Sequence, residues 1–384
     1  MNHGRLIATA LLGSVLLTGC SLFEASDDDL EPAKLFKFEE KVAVTRIWSA
    51  KVSSSDNKYW ANLKPAVSAD SLFVADHSGA VTALDVQTGE RRWSVDLEVP
   101  VSGGVGYGSG LVLLGTIEGQ IYALNAQDGS VLWASSVSSE VLSSPAANHQ
   151  MVVVQSLDNQ LFALDAKTGE ILWWHDADAP ILSVRGTSSA VLLDNMVIAA
   201  FDSGKLIAFN PQHGSLIWET RLALPKGRTE LERMIDIDGK PLLVGDIVYS
   251  VGYQGRLGAL TRGTGRNLWF QDSSSHHSPA YSDGKLFVTE AEDNSIRAFD
   301  AGSGQVIWNN QQLVLRGLTG PAKFGGTLAV ADAQGYLHLL DPQDGSFVGR
   351  TKVDGSGVSG PLLVVGESLV VQANDGSVSA YKIQ

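Results

Sequence analysis

The chain has 384 residues, 42 acidic against 28 basic side chains, a net charge of −14 at neutral pH and a single cysteine. This acidity opposes binding to nucleic acid or to anionic lipid headgroups through charge, so no nucleic-acid partner is expected. One cysteine excludes an intramolecular disulfide and a thiolate-rich metal site.

The first residues have the features of a secretion signal. Arg5 precedes a short apolar stretch, too short to span a membrane. The string Leu17-Thr18-Gly19-Cys20 resembles the lipobox of bacterial lipoproteins, in which cleavage precedes a cysteine that becomes lipid-modified. This resemblance implies a signal peptide over 1–19, a lipid such as palmitate on Cys20, and anchoring in the outer membrane facing the periplasm. An ordinary signal with a chance cysteine is the alternative.

Residues 20–41 are polar, include the acidic run Asp27-Asp28-Asp29, and lack the repeat found downstream. Such a composition predicts an acidic tether between the lipid and the folded domain. Residues 42–384 are expected to form that domain.

A short motif returns at intervals of about forty residues through the rest of the chain. A typical copy reads Ala-Leu-Asp, a few polar residues, Thr-Gly-Glu and a Trp. This period indicates one supersecondary unit copied many times, each burying its apolar face against its neighbours. The eight copies begin at Ala83, Ala123, Ala163, Ala208, Ala259, Ala298, Leu339 and Ala380.

Each copy contains four short segments typical of strands. In the first copy they start at Pro65, at Leu72, at Val81 and shortly before Trp93. Glycines in the intervening turns supply the positive φ that tight hairpins require. Four antiparallel strands without a helix predict one blade of a propeller.

The two ends of the chain indicate how the ring closes. The last copy stops at Gln384 before any outer strand, whereas 44–48 reads as an outer strand without inner strands. The sequence therefore predicts an all-β fold, an eight-bladed β-propeller of four-stranded antiparallel blades closed by an N-terminal strand in the C-terminal blade. Closure removes the exposed sheet edges that promote aggregation.

Seven of the nine tryptophans occupy the motif position, and the seventh copy departs from the pattern with Gly349 in that place. Packing in the wedge between blades is the simpler interpretation of these tryptophans, because a ring of identical positions is what repeat packing requires. Stacking on a ligand is the alternative.

Signals of catalysis or metal binding are weak. The segment 355–360 matches the dinucleotide pattern GxGxxG, but Pro361 and an apolar strand follow it, which favours a blade junction. His276 and His277 are adjacent, so in a strand they would point to opposite faces, and a solvated junction loop is favoured over a metal site. The string Asp236-Ile237-Asp238-Gly239 lacks the downstream glutamate of a calcium loop. No catalytic residue, metal or cofactor is therefore expected.

Two neighbouring connections between blades are longer than the others. Most connections from a motif Trp to the next blade span about ten to thirteen residues, whereas those after Trp173 and Trp218 are longer. As equivalent connections of adjacent blades, they should lie side by side on one face. In the second, Thr229 and Glu232 have the spacing of a capping box, which predicts a short helical turn.

These two connections carry the candidate partner-binding residues. Apolar side chains beside an arginine, rimmed by carboxylates, are typical of a protein-binding patch. The alternative is that the apolar residues pack under the loop and that Arg185 pairs with Asp236 or Asp238.

The repeat resembles that of PQQ-binding quinoprotein dehydrogenases, which carry a related Ala-x-Asp-x-x-x-Gly-x-x-x-Trp string. Many of those enzymes use adjacent cysteines and a calcium ion, and the predicted propeller has no cysteine. A PQQ-dependent dehydrogenase thus stays as an alternative function, as does a glycan-binding periplasmic propeller.

The lipobox, the acidic tether and the eight repeats together resemble the BamB family of outer-membrane protein assembly factors, over essentially the whole mature chain. The resemblance implies a non-enzymatic scaffold subunit of the β-barrel assembly machinery, the BAM complex, that binds the POTRA domains of BamA and assists folding and insertion of outer-membrane proteins. The family's Leu-x-Leu-Arg and Asp-x-Asp strings assign the contact to Leu182, Val184, Arg185, Asp236 and Asp238, with Val184 departing from leucine. A second hypothesis, from propeller physics, is pairing of blade edges with unfolded outer-membrane protein clients.

Overall fold

The computed structural model describes residues 31–52, 63–177, 186–224, 228–229 and 231–384. In this part of the chain, 32 strands form eight four-stranded antiparallel sheets, and no α-helix occurs. The predicted all-β, eight-bladed propeller is therefore confirmed.

The first four blades follow one another along the chain, each running from its inner to its outer strand. Blade one contains β2 (Ala66–Val67), β3 (Ser71–Ala75), β4 (Ala80–Asp85) and β5 (Arg91–Asp96). Blade two contains β6 (Gly106–Gly108), β7 (Leu111–Gly115), β8 (Gln120–Asn125) and β9 (Val131–Ser136). Blade three contains β10 (Ala146–Ala147), β11 (Met151–Gln155), β12 (Gln160–Asp165) and β13 (Ile171–Asp176). Blade four contains β14 (Val191–Leu193), β15 (Met196–Ala200), β16 (Lys205–Phe209) and β17 (Leu216–Arg221).

The remaining blades repeat the arrangement, and only the last takes a strand from elsewhere in the sequence. Blade five contains β18 (Leu242–Val244), β19 (Ile247–Val251), β20 (Arg256–Thr261) and β21 (Asn267–Asp272). Blade six contains β22 (Ala280–Ser282), β23 (Lys285–Thr289), β24 (Ile296–Asp300) and β25 (Val306–Asn310). Blade seven contains β26 (Ala322–Phe324), β27 (Thr327–Ala331), β28 (Tyr336–Leu340) and β29 (Phe347–Lys352). Blade eight contains β30 (Leu363–Val365), β31 (Ser368–Gln372), β32 (Ser377–Ile383) and the N-terminal β1 (Val44–Lys51).

The hydrophobic core lies between neighbouring blades. The second strand of a blade is covered on both faces, and every residue of β3, β7 and β11 is buried. Outer strands other than β29 of blade seven are buried at isolated positions at most, as in β13. The continuous apolar runs of the sequence are therefore second strands, because both of their faces contact an adjacent blade.

Closure occurs as the sequence predicted. Strand β1 pairs with β32 in antiparallel register from Val44–Ile383 to Lys51–Ser377. The N-terminal strand thus supplies the outer edge of blade eight, and the ring has no open sheet edge between its first and last blades.

Each motif tryptophan packs against the next blade, which favours the packing interpretation. The ring of Trp133 lies over Gly169, where an added Cβ would approach to 2.5 Å, and its Nε1 donates to the carbonyl of Ala166 at 3.0 Å. Gly169 has φ +74°, so it meets both the tight turn and the close ring. The same Nε1 bond runs from Trp48 to Val86, Trp93 to Ala126, Trp173 to Pro211, Trp218 to Arg262, Trp269 to Ala301 and Trp308 to Pro342.

Gly349 replaces the tryptophan in blade seven for a reason that follows from closure. The tryptophan of each blade covers the Thr-Gly type turn of the following blade, but blade eight takes its outer strand from the N-terminus and has no such turn. Residue Val42, just before β1, lies there instead, and a Cβ on Gly349 would come within 2.9 Å of its carbonyl oxygen.

Residues 33–42, here called the N-terminal strap, lie along the groove between the outer edges of blades six and seven. The strap's Ala33 N–H donates to Val314 O at 2.9 Å, and the N–H groups of Lys41 and Val42 both donate to Val348 O. Partly buried apolar side chains of the strap, Leu35, Phe36 and Phe38, pack against the core of those blades. Residues 33–41, which fall within the predicted tether of 20–41, therefore contact the propeller.

In the described ranges, no helix has the length and apolar character needed to cross a bilayer. Cys20 and the predicted signal peptide over 1–19 lie outside those ranges.

Candidate partner-binding site

The segments that join one blade to the next meet around the propeller axis on one face, here called the junction face. A cavity of about 410 Å³ opens there, lined from all eight junctions by residues that include Lys64, Ser102, Leu142, Gly186, Asp238, His277, Gly320 and Ser359. It lies where the outer strands end, at the opposite end of the blades from the Thr-Gly turns.

The two long connections meet at this cavity, as their equivalent positions predicted. Gly186 lies so close to Asp238 that a Cβ on the glycine would overlap the carboxylate. Nearby, the Ser188 hydroxyl donates to the carbonyl of Gly239 at 3.1 Å. Gly186 directly follows Arg185, so the end of the first connection lies against the Asp-x-Asp string of the second. Leu182, Val184 and Arg185 themselves lie outside the described residues.

The capping box predicted at the start of the second connection is confirmed. The Glu232 N–H donates to Thr229 Oγ1 at 3.2 Å, and the Thr229 N–H donates to Glu232 Oε2 at 3.1 Å. The N–H groups of Arg228 and Thr229 both donate to the Glu232 carboxylate and lower its pKa, because they stabilise its charged form. The turn fixes the path of the chain toward Asp236 and Asp238.

Asp238 presents its carboxylate at the edge of the cavity. Its side chain is 14% exposed, and Oδ2 lies 3.3 Å from His276 Nδ1. The imidazole of His276 in turn stacks on Tyr253, with ring centroids 4.3 Å apart. Among the described residues, no hydrogen-bond donor reaches Asp238 Oδ1. This oxygen is therefore a buried acceptor that faces Gly186, at the end of the first long connection.

Asp236 has a different environment from Asp238 although only one residue separates them. Its side chain is fully buried, and its backbone carbonyl accepts a hydrogen bond of 2.7 Å from the Tyr253 N–H. Burial raises the pKa of Asp236, and the nearby charges of Asp238 and Asp202 raise it further. Asp236 thus holds the connection in place from within, whereas Asp238 is the carboxylate that faces the cavity.

Cationic and imidazole groups complete the lining. Burial lowers the pKa of Lys64, an effect that the Asp238 charge opposes and Lys240 reinforces. Burial also lowers the pKa of His277 to about 4, with smaller effects of Lys64 and His276, so its ring is neutral at pH 7. His277 Nε2 lies 3.1 Å from the carbonyl of Leu318 and donates to it.

His276 and His277 lie in a blade junction, as predicted, but they are half-buried in the cavity wall and not solvated. No sequence signal points to Lys64, since only the fold brings this residue near Asp238. Within the described ranges, no group of three His, Cys, Asp or Glu side chains is placed to hold a metal ion. The GxGxxG segment 355–360 lies in the junction between β29 and β30, as predicted.

Comparison with known proteins identifies the family. The family model described as outer membrane protein assembly factor BamB matches residues 35–95, 77–310 and 292–384. A curated BamB of Pseudomonas aeruginosa is 50% identical over 383 residues, covering 100% of this chain and 99% of the relative. The chain belongs to the BamB family. The BamB of Escherichia coli is 33% identical and covers 98% of this chain and 99% of the relative.

Solved structures agree with this family, and the same propeller fold also occurs in enzymes. The crystal structure of BamB from Moraxella catarrhalis superposes with a TM-score of 0.82 at 28% identity, covering 88% of this chain and 100% of that one. A quinohemoprotein alcohol dehydrogenase from Comamonas testosteroni covers 88% of this chain and 76% of its own, with a TM-score of 0.68 at 13% identity. The second similarity shows a shared propeller fold alone. The predicted BamB resemblance is confirmed, and curated BamB relatives carry names of assembly factors.

Proposed function

We propose that this chain is a non-enzymatic scaffold subunit of the outer-membrane β-barrel assembly machinery, which binds the POTRA region of BamA and assists folding and insertion of outer-membrane proteins. The observation that carries the proposal is the contact between Gly186 and the Asp238 carboxylate. It joins the two long connections into one feature of the junction face, next to the axial cavity.

The chemistry of this feature fits a protein partner better than a small substrate. A buried Asp236 and a capped turn hold the second connection rigidly, and rigid presentation lowers the entropic cost of binding. The apolar Leu182 and Val184 beside Arg185 supply an anchor of the kind that dominates interface energies. In this proposal Asp238 orients Arg185 or accepts a donor from BamA directly, and Asp236 acts by positioning Asp238.

We further propose that residues 1–19 are removed as a signal peptide and that lipid on Cys20 anchors the chain to the outer membrane, facing the periplasm. The strap begins its contacts at Ala33, which leaves residues 21–32 as the span between lipid and propeller. Because Ala33 is bound near Val314 in the junction between blades six and seven, the anchor would leave the propeller from that side of the junction face.

A pull-down of detergent-solubilised BamA with the tagged full chain tests the docking proposal. Asp238→Ala and Arg185→Glu should each weaken binding by about 2 kcal/mol, on the order of 30-fold in Kd, because both remove a charged contact at the centre of the patch.

Asp246→Ala is the matched control, since Asp246 is 87% exposed in the hairpin between β18 and β19, on the opposite face. It should bind BamA as the unchanged chain does. Full binding by Asp238→Ala and Arg185→Glu together would refute the assignment of the site.

A further inference from the structure

Apolar pairs recur on the rim of the propeller, immediately before the motif tryptophan. In blades two, three, four and six these pairs are 41–57% exposed, as Val131-Leu132, Ile171-Leu172, Leu216-Ile217 and Val306-Ile307. The corresponding pair of blade seven, Phe347-Val348, is only 6% exposed at each residue. The same local position is thus covered in one blade and open in others.

The N-terminal strap is what covers the pair in blade seven. The ring of Phe36 meets that of Phe347 edge-on with centroids 5.1 Å apart, and the ring of Phe38 lies 5.6 Å from it. The guanidinium of Arg350 lies 5.3 Å from the Phe36 ring and 4.8 Å from the Phe38 ring, and it donates to the Phe36 carbonyl at 2.9 Å. The molecule therefore already contains an extended segment bound in a rim groove through aromatic side chains at alternate positions.

Blade three offers the nearest equivalent of this groove. Trp173 pairs with Ala163 in blade three, and Gly349 pairs with Leu339 in blade seven. Trp173 and Gly349 are therefore equivalent positions. Ile171, Leu172 and Trp174 consequently occupy the positions of Phe347, Val348 and Arg350. Trp174 is 58% exposed, the most of any tryptophan in the described chain, at the place where blade seven holds the aromatic side chains of the strap.

We propose that the rim groove beside the outer strand of blade three binds an extended segment of a client polypeptide whose apolar side chains alternate. Phe36 and Phe38 set this spacing in the strap, and the strands of outer-membrane barrels alternate apolar and polar residues in the same way. The proposal rests on the proposed assembly function for the source of the segment. Trp174 and Leu172 would provide stacking and apolar contact, as Arg350, Phe347 and Val348 do for the strap.

The groove is separate from the proposed BamA contact. Ile171 and Leu172 begin strand β13, next to the Thr-Gly turn, whereas the long connections start after the strand ends at Asp176. Along the strand, Leu172 lies about 13 Å and Trp174 about 7 Å before that end, both on the outer strand at the rim, whereas Asp238 lines the axial cavity. A client segment and BamA can therefore bind the same subunit together.

Fluorescence anisotropy with two labelled ten-residue peptides tests the proposal on the solubilised full chain. One peptide carries Phe at alternate positions among Thr and Ser, and the other has the same composition with its Phe residues adjacent. The alternating peptide should bind more tightly. Trp174→Ala and Leu172→Ser should each weaken its binding about fivefold, the usual size of one lost aromatic or apolar contact.

Leu268→Ser is the matched control, since Leu268 is 42% exposed at the position of Leu172 in blade five. Its neighbour Phe270, which corresponds to Trp174, is covered by the guanidinium of Arg256 at 4.0 Å. The control should leave binding unchanged. Equal affinity for both peptides, equal loss with Leu268→Ser, or unchanged binding by Trp174→Ala would each overturn the proposal.

The BamA pull-down separates this proposal from the docking proposal. Trp174→Ala should retain BamA, and Asp238→Ala should retain the alternating peptide. If the chain shows no preference for the alternating peptide but still binds BamA, only the client-groove proposal is overturned. If the chain prefers the alternating peptide but the docking variants do not weaken BamA binding, only the docking proposal is overturned.

Discussion

At the scale of single residues, the side chains of the repeated motif stabilise turns and pack between neighbouring blades. Asp85 accepts the N–H groups of Gln87 and Thr88 through Oδ1, and Arg92 contacts Oδ2. The Arg92 contact and the two backbone bonds lower the pKa of Asp85 to about 2. Asp165 accepts the same pair of backbone bonds in blade three. These acids stabilise hairpins, which explains why the most repeated carboxylates of the chain do not line the axial cavity.

Asp236 and Asp238 show how neighbouring residues of one string acquire different roles. The first is fully buried, and the second has a 14% exposed side chain at the cavity. Residues two apart in a regular strand would share one face, so the irregular path of the chain through the junction separates them. Substitutions at the two positions should therefore have different effects, with stability affected at Asp236 and binding at Asp238.

Asp236→Asn should flatten the dependence of stability on pH. The folded-state pKa of Asp236 is raised, so the native chain keeps a proton that the unfolded chain has lost above about pH 4. The stability of the unchanged protein then falls as pH rises, by up to about 1.4 kcal/mol per pH unit from this group. Urea unfolding at pH 7, 8 and 9 measures this slope, in a range above the titration of His277.

The neutral amide of Asp236→Asn has no proton to lose, so its free energy of unfolding should decline less over this range. Asp246→Asn, at an exposed side chain, should follow the unchanged protein. Parallel curves for Asp236→Asn and the unchanged protein would show that Asp236 is already ionised in the folded chain.

At the scale of elements, blade seven differs from the other blades because it precedes the closing blade. Gly349 stands where the other blades have the motif tryptophan, and Val42 fills the space beside it. The strap then continues along the groove, where buried Arg316 donates through Nη1 to Ala33 O and through Nε to Asp332. His338 bridges Asp332 and Arg350, with Nε2 2.8 Å from the carboxylate and Nδ1 accepting from the guanidinium. This network ties the strap to the core of the blade.

Gly349→Trp, which restores the repeat, should destabilise the protein. A Cβ at this position approaches Val42 O to 2.9 Å and Val42 Cγ2 to 3.0 Å, so an indole would displace the strap. Overpacking of this kind costs about 1–3 kcal/mol, measured as a lower urea midpoint.

Gly326→Trp controls for the bulk of the new side chain, since no atom lies within 4 Å of its added Cβ. A stability gain for Gly349→Trp would mean that the strap yields and that the missing tryptophan has another cause.

At the scale of the whole molecule, closure of the ring depends on one pairing between the two ends of the chain. Ser49 and Ser379 are register partners in β1 and β32, with hydroxyl oxygens 2.9 Å apart. All other blades are built from contiguous sequence. The β1–β32 pair therefore converts a series of blades into a closed ring.

A disulfide at this pair should stabilise the ring. The variant Ser49→Cys with Ser379→Cys, in a chain that also carries Cys20→Ser, links residues 330 positions apart. Restricting so long a loop in the unfolded chain stabilises the fold by on the order of 6 kcal/mol in the absence of strain. Calorimetry should show a higher Tm for the oxidised form, reverting on reduction. Ser49→Cys alone should show no redox-dependent change, and failure of the pair to oxidise would contradict the observed register.

Much of the fold was predictable because it is encoded locally. Apolar runs between glycine turns identify strands, and counting the copies identifies eight blades. The unmatched strand at 44–48 and the incomplete last copy together predict closure. The position of the long connections also follows from the repeat, since equivalent segments of adjacent blades must be neighbours. Apart from closure, which compares the two ends of the chain, these deductions depend on residues within about forty positions of each other, where backbone geometry limits the choices.

The tertiary structure alone decided which side chains meet. No local pattern indicates that Asp236 is buried while Asp238 faces a cavity with Lys64, because these residues come from distant junctions. The strap has no repeat signature, yet Phe36 and Phe38 fill a groove against Phe347, far away in sequence. Burial and charge at such sites depend on how complete blades pack around the axis. The sequence thus determined the blades and their number, and packing between blades determined the site and the grooves.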